Sequence, residues 1–177
     1  MDESFGNGAD FSVGIEEELL LVSRDGWELS HDSDAVLAAM ALEQECARHD
    51  LYAAQVELSS PPCANATEAV LHLERLRSAL RGAGGTAIGA GLHPRGRFGD
   101  VRIVEQERYL QEAGKLRGIV RRTPDCALHV HVGMPDPETA IRVCNGLRDR
   151  LPVLEALAAN SPFWHGADSG FAGRQPL

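Results

Sequence analysis

The sequence predicts an α+β domain, in which strands and helices are mixed without the steady βα alternation of a nucleotide-binding parallel sheet. Two kinds of hydrophobic pattern lead to this prediction. Residues 11–22 and 126–134 alternate apolar and polar side chains as strands do, and residues 51–60 return to a strand pattern. Residues 34–49 and 71–80 instead repeat apolar side chains at helical spacing. The chain has 177 residues, which fits about one domain.

Local signals bound the elements along the chain. Ser33 or Asp32 can cap the first helix, and Asn65 or Thr67 can open the second, which runs to about residue 82. The acidic, Gly-rich residues 1–10 are predicted to be a flexible N-terminus. The later elements are a strand over residues 86–92, helices over about residues 103–122, 136–150 and 153–159, and a terminal loop over residues 167–177.

Charge and composition narrow the function classes. A net charge of −9 argues against a nucleic-acid partner, because a polyanion needs a basic face. No apolar run approaches the roughly 20 residues that span a bilayer, and the N-terminus does not resemble a signal peptide. None of the four cysteines forms a CxxC pair, which favours free thiols in a reducing compartment. These features predict a soluble, cytoplasmic protein.

The strand over residues 11–22 contains three consecutive glutamates. Glu16 and Glu18 point to the same face, and Glu17 points to the opposite one. Two neighbouring carboxylates repel each other, and a hard divalent cation such as Mg²⁺ removes that cost. The alternative is the solvated face of an edge strand. Glu57, in the next predicted strand, can lie opposite this pair, although alone it is typical of an exposed strand carboxylate.

Two histidines and one arginine complete the set of candidate residues. His129 and His131 share a face of the strand over residues 126–134, where imidazoles can join carboxylates around a metal or contact phosphate. The same set can suggest a zinc hydrolase, although the three glutamates and the absence of an HExxH motif favour Mg²⁺. Arg174, in the final loop, is either a mobile terminal side chain or a clamp for phosphate or carboxylate.

Six short motifs, taken together, resemble the glutamate–cysteine ligase type 2 family of carboxylate–amine ligases over about residues 11–174. They are GIEEE (14–18), QVE (55–57), GLHP (91–94), HVHVG (129–133), ANSPFW (159–164) and GADSGF (166–171). The resemblance implies a fold similar to the glutamine synthetase catalytic domain, with a mainly antiparallel, curved sheet and flanking helices. It also implies that residues 11–177 form the N-terminal half of such a ligase domain, which is apparently incomplete.

The resemblance further implies the ligands and the chemistry. Glu16, Glu18 and Glu57 match metal-ligand glutamates, His129 matches a metal- or nucleotide-side histidine, and His131 lines the same cavity. Arg174 matches a substrate or phosphate arginine. The cofactors implied are ATP and Mg²⁺, with Mn²⁺ as a substitute. The substrates implied are glutamate, or a similar carboxylate activated as an acyl phosphate, and an amine.

Family members are substantially longer than this chain, and residues 171–174 (FAGR) depart from the Tyr-Ala-Ser type of sequence expected there. The resemblance therefore predicts that the chain forms a homo-oligomer or pairs with a C-terminal half. Two alternatives to an active ligase stay open. One is a non-catalytic or regulatory half-domain that binds Mg-ATP, and the other is a metal-dependent hydrolase that uses the same glutamates and histidines.

Overall fold

The computed structural model describes residues 8, 10–40, 45–122 and 124–173, which form a mixture of helices and antiparallel sheet. The strands are β1 Val13–Leu21, β2 Ala47–His49, β3 Gln55–Ser59, β4 Ala87–Ile88, β5 Leu128–Val132, β6 Phe163–Trp164 and β7 Ala167–Asp168. The helices are α1 Ser33–Ala39, α2 Ala66–Gly82, α3 Glu107–Leu116, α4 Pro137–Leu147 and α5 Leu151–Ala158. Short 3₁₀ turns follow α3 and α4 at Arg117–Arg121 and Arg148–Arg150. The predicted α+β class is confirmed.

Strand β1 is the centre of a five-stranded sheet that does not close on itself. The strand order is β2-β3-β1-β4, and β5 also pairs with β1. Along one edge β1 pairs with β3, while its other edge pairs with β5 over the first half and with β4 at the end. All of these pairings are antiparallel. The finer likeness to a glutamine synthetase catalytic domain stays a prediction.

Alternation along β1 places its apolar residues in the main core. Ile15, Leu19 and Leu21 are buried together with Val56 and Leu58 of β3. Helices α1 and α2 contribute further apolar side chains to this cluster, namely Val36, Ala69, Leu73, Leu76 and Leu80. The core therefore lies between one face of the sheet and these two helices, while the other face of β1 and β3 carries the polar residues and Leu20, which is also fully buried.

The predicted helix over residues 34–49 is wrong in its second half. Helix α1 ends at Ala39, and Ala47–His49 form strand β2; residues 41–44 lie outside the described part of the chain. Ala47 pairs with Leu58 and is buried in the core, while Arg48 pairs with Glu57. Pairing with a distant strand thus overrides the local helical pattern.

Four other predicted elements are shorter or different. The strand predicted over residues 86–92 covers only Ala87–Ile88. The strand predicted over residues 51–60 covers only Gln55–Ser59, because residues 51–54 make turns and a bridge to Ile103. The helix predicted over residues 103–122 becomes α3 and a 3₁₀ turn. The predicted terminal loop begins instead with Ala167–Asp168, which pairs with Phe163–Trp164 in a two-stranded sheet.

Helices α4 and α5 differ from the rest because none of their residues is buried. Large apolar side chains such as Ile141 (62% exposed) and Leu157 (79% exposed) face solvent. The apolar side of β5 is also open, with Val130 59% exposed. Among the described residues, no helix is both long and apolar enough to cross a membrane.

Glu17 is a buried charge on the core side of β1. Its carboxylate accepts hydrogen bonds from Nε of Arg77 at 2.7 Å and from a terminal nitrogen of the same guanidinium on α2. Glu17 is only 7% exposed, so the charge is neutralised by a bidentate partner. This pairing explains how an acidic residue occupies a core-facing position of an otherwise apolar strand face.

We expect Arg77→Gln to destabilise the chain by about 2 kcal/mol, because it leaves a buried carboxylate without its partner. The double variant Glu17→Gln/Arg77→Gln should recover most of that loss, since it removes the unpaired charge. Chemical denaturation followed by circular dichroism measures both. A double variant as unstable as Arg77→Gln alone would contradict this account of Glu17.

Candidate functional site

The sheet register brings the predicted site residues together on the open face of three neighbouring strands. Glu18 of β1 lies opposite Glu57 of β3, and Glu16 of β1 lies opposite His129 of β5. His131 follows on the same side of β5, opposite Gly14. The register therefore places Glu16, Glu18, Glu57, His129 and His131 on one face of the sheet. Their roles stay predictions.

Glu16 lies at the centre of this group. Its Oε2 atom is 3.2 Å from Nε2 of His131 and 3.6 Å from Nδ1 of His129. Its Oε1 atom accepts a hydrogen bond from Arg48 at 3.0 Å. One carboxylate therefore connects the imidazoles of β5 with a guanidinium from β2, across the width of four strands.

Arg48 is the residue of this site that sequence reasoning missed. Its Nε donates to Glu57 Oε1 at 2.8 Å, and a terminal nitrogen donates to Glu16 and, at 3.0 Å, to Ser59 Oγ. The hydrogen bond to Glu57 and the nearby carboxylates raise the pKa of the guanidinium above its ordinary value. Residues 34–49 carry a helical pattern, and no local signal marks Arg48 as a cross-strand partner of Glu57.

Glu18 is turned away from Arg48, toward the loop before β5. Its Oε2 accepts from the backbone N–H of Ala127 at 2.9 Å and from Nε2 of Gln55 at 3.2 Å. Burial is the main cause that raises the pKa of the Glu18 carboxyl, and the charges of Asp50 and Glu57 raise it further. Gln55 is 1% exposed, and its Oε1 has no hydrogen-bond partner among the described residues.

The oxygen-rich donor set suits a hard divalent cation, yet it is not arranged as a finished metal site. Within the described ranges, no group of three His, Cys, Asp or Glu residues is positioned to hold a metal ion. The reason is geometric, because Glu18 turns toward Ala127 while the Arg48 guanidinium lies between Glu16 and Glu57. A cation already stands between two carboxylates, which is where a hard metal would be expected.

The other motifs around this face have structural partners. His93, only 2% exposed, lies with Nε2 2.7 Å from the carbonyl oxygen of Trp27. Asn160 donates to the carbonyl of Gly89 at 2.8 Å, and its own carbonyl accepts from the N–H of Gly91 at 3.1 Å. The two bonds of Asn160 join the 159–164 motif to the segment that contains the 91–94 motif. Both motifs therefore have a structural role next to the site.

Cys126 is unsuited to act as a nucleophile. Burial is the main cause that strongly raises the pKa of its thiol, and the charge of Glu18 adds to that effect. Gln55 Nε2 lies 3.4 Å from the sulfur. The thiol therefore stays protonated at neutral pH.

Arg174, the predicted phosphate or substrate clamp, lies outside the described residues, as do most of residues 1–10.

A cleft of about 340 Å³ lies beside the carboxylate cluster and is lined by Gly14, Glu16, Ser60 and His131, among others. Glu16 and His131 therefore line a cleft that is open to solvent.

Comparison with known proteins identifies the family. The sequence model of glutamate–cysteine ligase family 2 matches residues 12–174. A glutamate–cysteine ligase of Halobacterium salinarum is 34% identical over 167 residues, covering 91% of this chain and 46% of the relative. A protein of Rubrobacter xylanophilus, named putative glutamate–cysteine ligase 2-1, is 34% identical over 166 residues, which are 91% of this chain and 44% of the relative.

The chain therefore spans less than half the length of these relatives, which is consistent with an N-terminal portion. The family match nevertheless extends over most of the 177 residues and includes all the motifs named above. This chain belongs to glutamate–cysteine ligase family 2.

Proposed function

We propose that this chain supplies the metal- and nucleotide-binding side of an ATP-dependent carboxylate–amine ligase. The main support is the placement of Glu16, Glu18, Glu57, His129 and His131 on one open sheet face. Relatives named glutamate–cysteine ligase make glutamate and an amine such as cysteine the first substrates to test.

The described site residues divide into carboxylates, which would hold metal cations, and histidines, which would contact the nucleotide or the metal. Glu16 and Glu57, joined by Glu18 if its side chain rotates, would hold Mg²⁺ or Mn²⁺, which would neutralise the phosphates of ATP. His129 and His131, each about half exposed beside Glu16, would contact the nucleotide or the metal. Both imidazoles lie close to the Glu16 carboxylate, at 3.2 Å for His131 and 3.6 Å for His129.

The reaction proposed has two steps. The γ-carboxylate of glutamate attacks the γ-phosphorus of ATP, which forms an acyl phosphate and releases ADP. The amine nitrogen then attacks the acyl carbon, the C–O bond to phosphate breaks, and the amine loses a proton as inorganic phosphate leaves. No protein nucleophile is required, which agrees with the protonated thiol of Cys126. Arg174 is proposed to bind phosphate or substrate.

The compartment proposed is the cytoplasm, where ATP is abundant and thiols stay reduced. None of the four described cysteines, Cys46, Cys63, Cys126 and Cys144, forms a disulfide in the structure. A second candidate function is a half-domain that binds Mg-ATP without turnover. It is favoured by one observation, namely that the carboxylates are not gathered into a ligand set among the described residues, because Glu18 turns toward Ala127 and Arg48 lies between Glu16 and Glu57.

We further propose that the missing part of the site comes from a C-terminal half of the family domain. Its docking surface would be the β5 face, defined as Leu128, Val130 and Val132, which are 43–61% exposed. Among the described strands, β5 pairs only with β1, so its outer edge offers free backbone groups. An added strand would satisfy this edge and cover the apolar side chains at the same time.

The ligase proposal is tested by measuring ADP release with glutamate and a panel of amines. The parent chain and Glu16→Gln are compared, each mixed with the C-terminal part of a family member. We expect turnover that requires both substrates and falls at least tenfold in Glu16→Gln. Binding of Mg-ATP by calorimetry with no turnover would favour the non-catalytic half-domain, and zinc retained through purification would favour a hydrolase.

Glu18→Gln should weaken metal binding without harming the fold. Because burial and neighbouring carboxylates raise the Glu18 pKa, ionisation of this group opposes folding as the pH rises through that pKa. The variant should therefore be slightly more stable than the parent at pH 7, by at most about 1 kcal/mol or 2–4 °C in melting temperature. The difference should vanish below about pH 4, where glutamate is protonated. A variant less stable at pH 7 than at pH 4, relative to the parent, would contradict this.

Val130→Glu should abolish pairing with the C-terminal part, because it places a charge in the centre of the β5 face. The chain alone should stay folded, since Val130 is 59% exposed. Leu71→Glu is the matched control, because this leucine is 48% exposed on α2, away from β5. Size-exclusion chromatography with light scattering measures the mass of each mixture. A homodimer that excludes the C-terminal part would contradict the proposal.

A further inference from the structure

We propose that Arg48 is a resident counter-cation, which a divalent metal ion has to displace from between Glu16 and Glu57. Arg48 would then set the metal affinity of the site and keep it closed to metals that bind weakly. This inference rests on the proposed function, since it assumes that these carboxylates are metal ligands.

The geometry is that of a cation held between anions. A terminal nitrogen of Arg48 lies 3.0 Å from Glu16 Oε1 and 2.5 Å from Glu57 Oε1. Because both oxygens contact the same nitrogen, the two carboxylates face each other across the guanidinium. Without a cation between them their charges would repel each other at short range. In the metal-free chain, Arg48 therefore offsets the repulsion between the Glu16 and Glu57 carboxylates, as a metal ion in the same place would.

This arrangement also accounts for the absence of a finished ligand set among the described residues. Glu16 and Glu57 direct their Oε1 atoms at nitrogen rather than at a common empty point. Glu18, with no place beside the guanidinium, accepts hydrogen bonds from Ala127 and Gln55 instead. Removal of Arg48 from this position would leave oxygen donors on neighbouring strands facing one another.

Arg48 can leave at modest cost. Its side chain is 47% exposed, and exposed ion pairs are typically weak because water and salt screen them. Its backbone is anchored independently, since β2 pairs with β3 through Ala47 and His49 as well. The side chain can therefore swing into solvent while the strand stays in place. Arg77 is different, because it holds the buried Glu17.

A divalent ion has the advantage over the guanidinium in this position. Mg²⁺ and Mn²⁺ carry twice the charge in a smaller radius and draw in carboxylate oxygens at about 2 Å. Three carboxylates can gather around such an ion, whereas the planar guanidinium contacts only two of them here. Competition between the two cations should therefore appear directly as a change in metal affinity.

The experiment is a calorimetric titration of the full chain with Mn²⁺. The variants are Arg48→Gln, Glu16→Gln and the control Arg95→Gln. Arg95 is 57% exposed and pairs with exposed Glu28, so its substitution makes the same charge change away from the site. We expect Mn²⁺ to bind about tenfold more tightly to Arg48→Gln, about tenfold more weakly to Glu16→Gln, and equally to the parent and the control.

Thermal stability provides a second readout. Arg48→Gln should melt below the parent without metal, because the carboxylates lose their counter-cation, and saturating Mn²⁺ should remove the difference. If Arg48→Gln does not fold without metal, Arg48→Lys replaces it. Lysine keeps the charge but loses the guanidinium's paired bonds, so its Mn²⁺ affinity should lie between those of the parent and a charge-free site.

The outcomes separate the two proposals. Weaker binding by Glu16→Gln with unchanged or weaker binding by Arg48→Gln would overturn the role of Arg48 and leave the metal site standing. Unchanged binding by Glu16→Gln would overturn the metal site itself. An equal gain in Arg95→Gln would show that overall charge, rather than displacement at the carboxylates, changes the affinity, and would also overturn the inference.

Discussion

Three consecutive glutamates on a central strand impose the constraint on which this structure depends. Because side chains alternate along β1, Glu17 enters the core whenever Glu16 and Glu18 occupy the open face. A carboxylate in the core is tolerated only with a partner, and Arg77 of α2 provides it. The glutamates on the open face of β1 therefore require Glu17 on its core face, and Glu17 in turn requires Arg77 of α2.

On both faces of β1 an arginine neutralises glutamate side chains, but the surroundings of the two arginines differ. On the core side, Arg77 forms a bidentate pair with Glu17, whose carboxylate is buried. On the open side, Arg48 connects Glu16 with Glu57 in a setting that water reaches. The two arginine side chains are equally exposed, at 47%, and the difference lies in their carboxylates, since the side chain of Glu17 is 9% exposed and that of Glu16 29%.

The elements of this chain differ in how far they are buried. The sheet around β1 and its helices α1 and α2 has its own buried core, which does not depend on α4 or α5. These last helices and the outer side of β5 instead expose apolar residues. The site lies at the boundary of the two regions, since β5 supplies its histidines. A chain of this length thus contains a formed carboxylate cluster next to an uncovered surface.

The sequence by itself determined the α+β class, the face of each glutamate and histidine, and the family, because periodicity and short motifs are local properties of the chain. It missed β2, because residues 34–49 carry a helical pattern and only pairing with β3 makes Ala47–His49 extended. It also missed Arg48 as the partner of Glu57 and Gln55 as the partner of Glu18. Periodicity states which face a side chain occupies but not which strand lies beside it. Register joins residues far apart in the chain, such as Glu16 and His129, so only the tertiary structure decided which charges meet.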